Sequence, residues 1–336
     1  MLQDALLKVA DMQNLTREEA VESMAELMRG EGSPVQVAAF LTALHMKGET
    51  IDEITGFAET MRAMATRIET SRRPLVDTCG TGGDGSGTFN ISTTAAFVVA
   101  GAGVAVAKHG NRSASSQCGS ADVLEHLGVD VNIGPDIVGR CIEEVGIGFL
   151  FARSLHGAMK HVAPVRSELK FRTVFNMLGP LTNPAGADGQ VMGVFRFGLV
   201  EPIAHVLKNL GARHAFVVAG SDGLDEITIT GPSRVAEVRD GGVRVYEVTP
   251  REFGIPISDG AMLRGGDAAK NASLLRAVLE GERGARRDIV VLNAAPAIQA
   301  GEVADNWAQG VAKAEESIDS GAALAKLEAL VKATQS

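Results

Sequence analysis

The stretch Leu75-Val-Asp-Thr-Cys-Gly80-Thr-Gly-Gly-Asp-Gly85-Ser-Gly-Thr-Phe-Asn90-Ile-Ser-Thr93 decides the architecture. Residues 75–78 read as a strand, a glycine-rich loop follows, and residues 91–100 read as a helix. A strand feeding a helix through such a loop opens a parallel β-α-β unit, whose sites lie at the C-terminal ends of the strands. Glycines let backbone N–H groups approach an anion, and the next helix adds its positive N-terminus. The loop therefore reads as a phosphate cradle. It is not a Walker A loop, because no Gly-Lys-Ser/Thr follows. Gly80, Gly82 and Gly85 do match G-x-G-x-x-G, which leaves a dinucleotide site open.

The same alternation continues downstream. Residues 104–107, 148–151, 191–195 and 215–219 read as strands; 121–127, 135–145 and 202–210 read as helices. Residues 228–248 alternate around Asp240-Gly241-Gly242, which predicts a hairpin on the sheet. The tail, 302–333, reads as helix. Upstream of the glycine loop there are helices only. Thr16 with Glu19, and Thr50 with Glu53, are spaced as capping boxes. Ser33-Pro34 starts a third helix, and Gly30 and Gly48 stop two of them. Residues 159–178 look helical again, broken at Gly179-Pro180 and Asn183-Pro184. Within them Pro164 disfavours helix at Ala163 and predicts a bend. The expected fold is α/β: a small all-helical domain plus a larger α/β domain with a mostly parallel central sheet. The expected helical domain is 1–72, joined by an insert at about 159–186; 73–158 and 187–336 form the other.

Composition narrows the class. The 336 residues suggest about two domains. Net charge is −9 and aromatics are only 4%, which argues against nucleic acid as a partner. Cys79, Cys118 and Cys141 have no paired spacing, so neither a disulfide framework nor a zinc site is expected. The first residues lack the basic start of a signal peptide. The longest apolar run, 95–107, is well short of the roughly 20 residues of a membrane span. These features predict a cytoplasmic protein with no membrane partner.

Three further clusters carry chemistry. Lys108-His-Gly-Asn-Arg112-Ser-Ala-Ser-Ser116, with Cys118-Gly-Ser120, offers cations, hydroxyls and a turn at a second strand end. A cation there suits another phosphate, whereas a dinucleotide ribose calls for an acid. Asp222-Gly-Leu-Asp225-Glu226 follows a third strand. On an extended chain its last two carboxylates point to different faces, and each can reach a hard cation such as Mg²⁺. Arg153, Lys160, Arg166, Lys170 and Arg172 stand against Glu168 alone, a basic pocket in an acidic chain that fits a strongly anionic substrate. Together these describe a site for a pyrophosphorylated sugar.

In this order the motifs resemble the anthranilate phosphoribosyltransferases of tryptophan biosynthesis. The resemblance rests on Asp77–Asp84, Asn90-Ile-Ser-Thr93, Lys108-His-Gly-Asn-Arg112, Ser120-Ala-Asp122, His161-Val-Ala-Pro-Val-Arg166, Arg172-Thr-Val-Phe-Asn176, Leu178–Pro184 and Leu224-Asp-Glu-Ile227. Gln117 and Cys118 depart from the family pattern of a basic residue and a serine, and Lys170-Phe171 replaces a more usual glycine-containing pair. The resemblance implies transfer of a 5-phosphoribosyl group from 5-phosphoribosyl 1-pyrophosphate to anthranilate, in a homodimer formed through the helical domain. It implies diphosphate and ribose contacts at Gly80, Gly83, Asp84, Thr88, Asn90, Ile91, Ser92, Thr93, Lys108, His109, Gly110, Asn111, Arg112, Ser113, Ala114, Ser115, Ser116 and Ser120. It implies Mg²⁺ at Ser92, Asp225 and Glu226, and anthranilate at Gly80, His109, Asn111, Arg166 and Pro180. No general base is expected. Two rivals share parts of this pattern. A pyrimidine nucleoside phosphorylase would not require Asp225 and Glu226, and a nucleic-acid-binding relative would be basic without the glycine loop.

Overall fold

The computed structural model describes residues 1–113 and 117–335. The chain opens with four helices, α1 (Leu2–Ala10), α2 (Arg17–Arg29), α3 (Pro34–Lys47) and α4 (Ile51–Met64). Their starts follow local chemistry. Thr16 accepts from the Glu19 amide at 3.2 Å while Glu19 accepts from the Thr16 amide at 2.8 Å. Ser33 with Gln36 and Thr50 with Glu53 close the same reciprocal pair.

The α/β part continues with β1 (Leu75–Gly80), α5 (Ile91–Gly101), β2 (Ala105–Gly110), α6 (Ser120–His126), α7 (Pro135–Arg140), β3 (Ile147–Phe151), α8 (Ala152–Leu155), α9 (Ala163–Leu169) and α10 (Phe175–Leu178). Then come β4 (Gly189–Gly193), α11 (Phe197–Asn209), β5 (His214–Gly220), β6 (Ser233–Arg239), β7 (Gly242–Val248), α12 (Ala268–Leu279), α13 (Ala285–Ala300), α14 (Trp307–Asp319) and α15 (Ala322–Thr334). The seven strands run in the order β3-β2-β1-β4-β5-β6-β7. The first five are parallel; β6 and β7 are the expected antiparallel hairpin.

Strand order reverses between β1 and β4. Successive units leave β1 on one side for β2 and β3, and on the other for β4 and β5. Such a reversal opens a crevice at the C-terminal strand ends, the usual ligand site of an open α/β sheet. The register places Gly80 of β1 beside Gly193 of β4 at that point.

One face of the sheet is covered by α5, α12, α13, α14 and α15. The other face, through Met192, Val194 and Val217, shares a single apolar cluster with α11 and the N-terminal helices. Val162, Val165, Val174 and Phe175 belong to that cluster, so the 159–178 segment packs on the bundle side.

Several boundaries differ from expectation. β2 continues to Gly110 because its pairing with β3 runs on to Phe151, so Lys108 and His109 are buried strand residues rather than loop residues. The 159–178 segment is not one helix. A 3₁₀ turn (Gly157–His161), α9 and α10 divide it, with Lys170 left-handed at the end of α9. Pro164 occupies the first turn of α9, where its missing N–H is one that lacks an intrahelical partner anyway, so it starts the helix instead of bending it. α12 and α13 had no sequence expectation. From Ile289 onward every residue of α13 is buried, so it lacks the one-sided apolar period that marks a surface helix.

Candidate active site

The crevice is built on two glycines. The segment that joins β5 to β6 folds back over the ends of β1 and β4 and sets Asp225 on them. A Cβ at Gly193 would lie 1.5 Å from the Asp225 carbonyl oxygen, and one at Gly80 would strike the Asp225 carboxylate. Only glycine at both positions permits this approach. From that seat Asp225 Oδ2 accepts the Gly82 amide at 2.6 Å, and Glu226 Oε1 accepts the Ser92 amide at 3.1 Å. The adjacent carboxylates therefore grip the glycine loop on one side and the N-terminal turn of α5 on the other.

Burial, reinforced by the Asp84 charge, pushes Asp225 up to about 6. Burial and the neighbouring Asp225 push Glu226 well above the usual carboxylate range. Two crowded, half-buried carboxylates are relieved by a cation. Among the described residues no group of three or more His, Cys, Asp or Glu converges as a ready-made metal cage. Few protein ligands, all oxygen, fit Mg²⁺, which keeps waters and bridges substrate phosphates.

The glycine loop is held at its ends. The Thr81 amide donates to the Gly193 carbonyl at 2.9 Å, and the Gly87 carbonyl accepts from the Gly265 amide at 2.9 Å. Between them Gly82, Gly83, Gly85 and Gly87 all have positive φ, a backbone path open to glycine and strained for other residues. Asp84 accepts from the Ser86 amide and hydroxyl at 3.2 and 2.7 Å. Thr88 bridges Arg264 through the backbone. Asn90 precedes Ile91, and its Oδ1 accepts from Asn271 Nδ2 of α12 at 2.9 Å.

Lys108 donates to the Thr78 carbonyl, its charge shared with buried Asp77 and half-buried Glu226. Asp77 in turn accepts the His109 amide at 3.0 Å and the Asn183 amide group at 2.8 Å. His109 Nδ1 lies 3.1 Å from the Gly179 carbonyl, so the geometry assigns the proton to Nδ1. Its Nε2 is then an acceptor, 3.3 Å from His156 Nε2. Burial lowers His109 to about 3 and His156 to about 4, so both rings are neutral at pH 7. Gly179 brings Pro180 beside this pair, and the Pro180 carbonyl accepts from Gln190 at 2.7 Å.

The loop after β2 closes on α6. Ser120 Oγ accepts the Asn111 amide at 3.1 Å, and the Ser113 amide donates to Asp122 at 3.2 Å. Arg112 donates to Asp122 at 2.8 Å and to Glu125 at 2.7 Å, so its charge is paired on α6. Ala114, Ser115 and Ser116 lie outside the described residues. Gln117 is exposed; Cys118 is buried with Sγ 3.6 Å from Asn90 Oδ1, and burial pushes its thiol up to about 11. Arg166, half-buried on α9, sits 5.1 Å from the Phe175 ring, and burial lowers its pKa. Among the described residues it has no ion-pair partner.

Contacts in the structure thus join Gly80–Ser92, Asp225, Glu226 and Lys108 in one crevice, and His109 to the Gly179-Pro180 turn. Arg166 stands outside this set of contacts, against Phe175. Sequence reasoning missed His156, Gly193 and Asn271 as members of the site. The first stood inside the basic segment as an available signal; the other two are neutral residues whose importance comes from what packs on them.

Comparison with known proteins identifies the family. The description "Glycosyl transferase family, helical bundle domain" matches residues 3–65, and "Glycosyl transferase family, a/b domain" matches 72–324. An anthranilate phosphoribosyltransferase of Moorella thermoacetica is 58% identical, covering 98% of each chain. One of Symbiobacterium thermophilum is 57% identical over 96% of this chain and 95% of its own. The crystal structure of the Thermus thermophilus enzyme is 49% identical and superposes with a TM-score of 0.94 over 99% of this chain and 100% of that one. The Saccharomyces cerevisiae enzyme, solved in complex with PRPP and Mg, is 27% identical with a TM-score of 0.89 over 99% and 98%. Similar in sequence and fold over nearly its whole length, this chain belongs to the anthranilate phosphoribosyltransferase family.

Proposed function

We infer that this chain transfers the 5-phosphoribosyl group of 5-phosphoribosyl 1-pyrophosphate to the amine of anthranilate, in L-tryptophan biosynthesis. The observation that carries the reading is the Asp225–Glu226 pair, seated on Gly80 and Gly193 between a glycine loop and a helix N-terminus. The bond from the ribosyl carbon to the diphosphate oxygen breaks, a carbon–nitrogen bond forms, and the amine releases a proton. Pyrophosphate leaves with the bonding electrons. Mg²⁺, when bound, neutralises that leaving group.

On this reading Ser92, Asp225 and Glu226 hold the metal. Gly80, Gly83, Asp84, Thr88, Asn90–Thr93, Lys108–Ser113 and Ser120 receive the diphosphate and ribose. Arg166 takes the anthranilate carboxylate, with Gly80, His109, Asn111 and Pro180 around the ring. The absence of an ion-pair partner for Arg166 among the described residues supports its part, since a guanidinium grips a carboxylate through two parallel hydrogen bonds. Neutral His109 has its Nδ1 proton committed to Gly179. The arylamine is neutral at pH 7, so alignment and charge stabilisation carry the rate without a general base.

The same reading treats 1–72 with the 159–186 insert as one body and the rest as the other, with the crevice between them. A homodimer through the helical domain is supported by α3, whose Val35 and Met46 fall on one helical face and are 78% and 74% exposed. Light scattering at a fixed protein concentration checks it. The three free thiols fit a reducing cytoplasm. Among the described residues no helix is long and apolar enough to cross a membrane. The test of the activity is loss of anthranilate fluorescence on adding phosphoribosyl pyrophosphate and Mg²⁺. Loss that proceeds equally without the pyrophosphate donor would refute it.

A further inference from the structure

Two consecutive residues of the insert touch opposite walls of the crevice. Phe171 packs on His45 of α3, with ring centroids 4.9 Å apart. Arg172 reaches the other way. Its Nη2 donates to the Gly82 carbonyl, and its guanidinium carbon lies 3.7 Å from the centre of the Phe195 ring, just beyond β4. A Cβ at Gly83 would strike the same guanidinium. The planar group is therefore sandwiched between an aromatic face and the glycine loop, an arrangement that a flat guanidinium fills better than a Lys ammonium. Its Nη1 is buried with no hydrogen-bond partner among the described residues. Asp225 and Asp84 supply the nearby opposite charge.

The loop needs such a clip. Its ends are tied to Gly193 and Gly265, and Asp225 holds the Gly82 amide. Among the described contacts, residues 83–86 have only local side-chain bonds, Asp84 with Ser86 and Ser86 Oγ 3.4 Å from Thr88 Oγ1, besides the Arg172 contact at Gly83. Four glycines with positive φ leave the unsupported loop many other conformations.

We propose that Arg172 is a positioning residue of the phosphoribosyl-pyrophosphate site: from across the crevice it clips the glycine loop in its binding shape. The proposal rests on the reading of that loop as the diphosphate cradle. Through Phe171 and α9, the clip also ties the loop to the element that carries Arg166.

The test uses the full chain without ligand. Amide hydrogen exchange over residues 82–87 is compared in the parent, Arg172→Gln, Arg172→Lys and Phe195→Leu. Both Arg172→Gln and Phe195→Leu are expected to speed loop exchange about 10-fold or more. Steady-state kinetics should show KM for phosphoribosyl pyrophosphate rising about 10- to 100-fold, with KM for anthranilate within about twofold. Arg172→Lys keeps the charge and is expected to restore neither. Unchanged loop exchange in Arg172→Gln overturns the clip, as does full rescue by Lys. If Arg172→Gln does not fold, Phe195→Leu carries the same readouts, and parental exchange there overturns the clip. Faster exchange with an unchanged KM for phosphoribosyl pyrophosphate supports the clip and counts against the cradle, which separates the two readings.

Discussion

Gly193→Ala isolates the seat of the acidic pair. The backbone of Gly193 is ordinary strand, so alanine fits it conformationally and only space is at issue. The new Cβ would stand 1.5 Å from the Asp225 carbonyl oxygen, whereas real Cβ contacts essentially never fall below 3.0 Å. The segment carrying Asp225 and Glu226 must then retreat by about 3.0 − 1.5 = 1.5 Å. The offending atom is backbone, so no side-chain rotation relieves the contact. A misplacement of about 1 Å near reacting groups costs on the order of 100-fold, so kcat/KM for phosphoribosyl pyrophosphate should fall at least that far, about 2.7 kcal/mol. The Mg²⁺ concentration for half-maximal rate should rise with it. Overpacking should cost about 1–3 kcal/mol of stability, which leaves the protein folded. Gly189→Ala is the control. It crowds the far end of the same strand, 3.0 Å from Val76 Cγ2, without touching Asp225. It should lower stability slightly and keep the parental Mg²⁺ dependence. Anthranilate fluorescence with Mg²⁺ titrated, alongside thermal melting, reads both effects. A Gly193→Ala protein within threefold of the parent, with the same Mg²⁺ requirement, would refute the seat.

Arg166→Ala should weaken anthranilate use roughly 10- to 150-fold, the worth of a charged hydrogen-bonded pair, and affect phosphoribosyl pyrophosphate far less; equal losses for both substrates contradict its assignment. His109 and His156 are neutral in the fold down to about 3 and 4, whereas an unfolded histidine titrates at 6.5. Between those values the unfolded chain binds more protons, so the stability they contribute is full above 6.5 and is lost as pH falls toward 4, by at most about 1.4 kcal/mol per pH unit for each ring. Melting against pH should accordingly be shallower for His156→Gln than for the parent, and an identical slope would exclude the effect. Lys170 has φ 55° at the end of α9 and is exposed, so Lys170→Gly should relieve strain for a net gain of up to about 1 kcal/mol in urea unfolding; a clear loss would show that the side chain matters there.

The local rules in the sequence carried far because local chemistry acts on neighbours along the chain. Capping boxes at Thr16 and Thr50 and the hairpin at Asp240-Gly241 are contests between residues three or four apart, decided the same way in the fold. Strand–helix alternation was legible for a related reason: period and glycine loops are one-dimensional signals, and a parallel sheet follows from them. Asp225 and Glu226 were legible as a pair from their adjacency, but they sit at a bend between β5 and β6 and not on an extended chain, reaching the Gly82 and Ser92 amides respectively.

What only the tertiary structure decided depends on approach across distance in sequence. Nothing in the residues around Gly193 marks it as the seat of a carboxylate more than 30 positions away; register beside Gly80 does that. α13 stayed invisible because a helix buried on all sides has no polar face to betray its period. Lys108 read as a loop cation and proved a buried strand residue, its ammonium held by Thr78 and by opposite charges from β1 and from the segment that joins β5 to β6. Arg112 read as a free cation and found Asp122 and Glu125. The sequence by itself determined the kinds of groups, their order and the architecture that carries them. Folding determined which charges meet, which are neutralised and which two glycines must be bare, because burial and Coulomb interaction depend on separation in space, and only the packed sheet sets that.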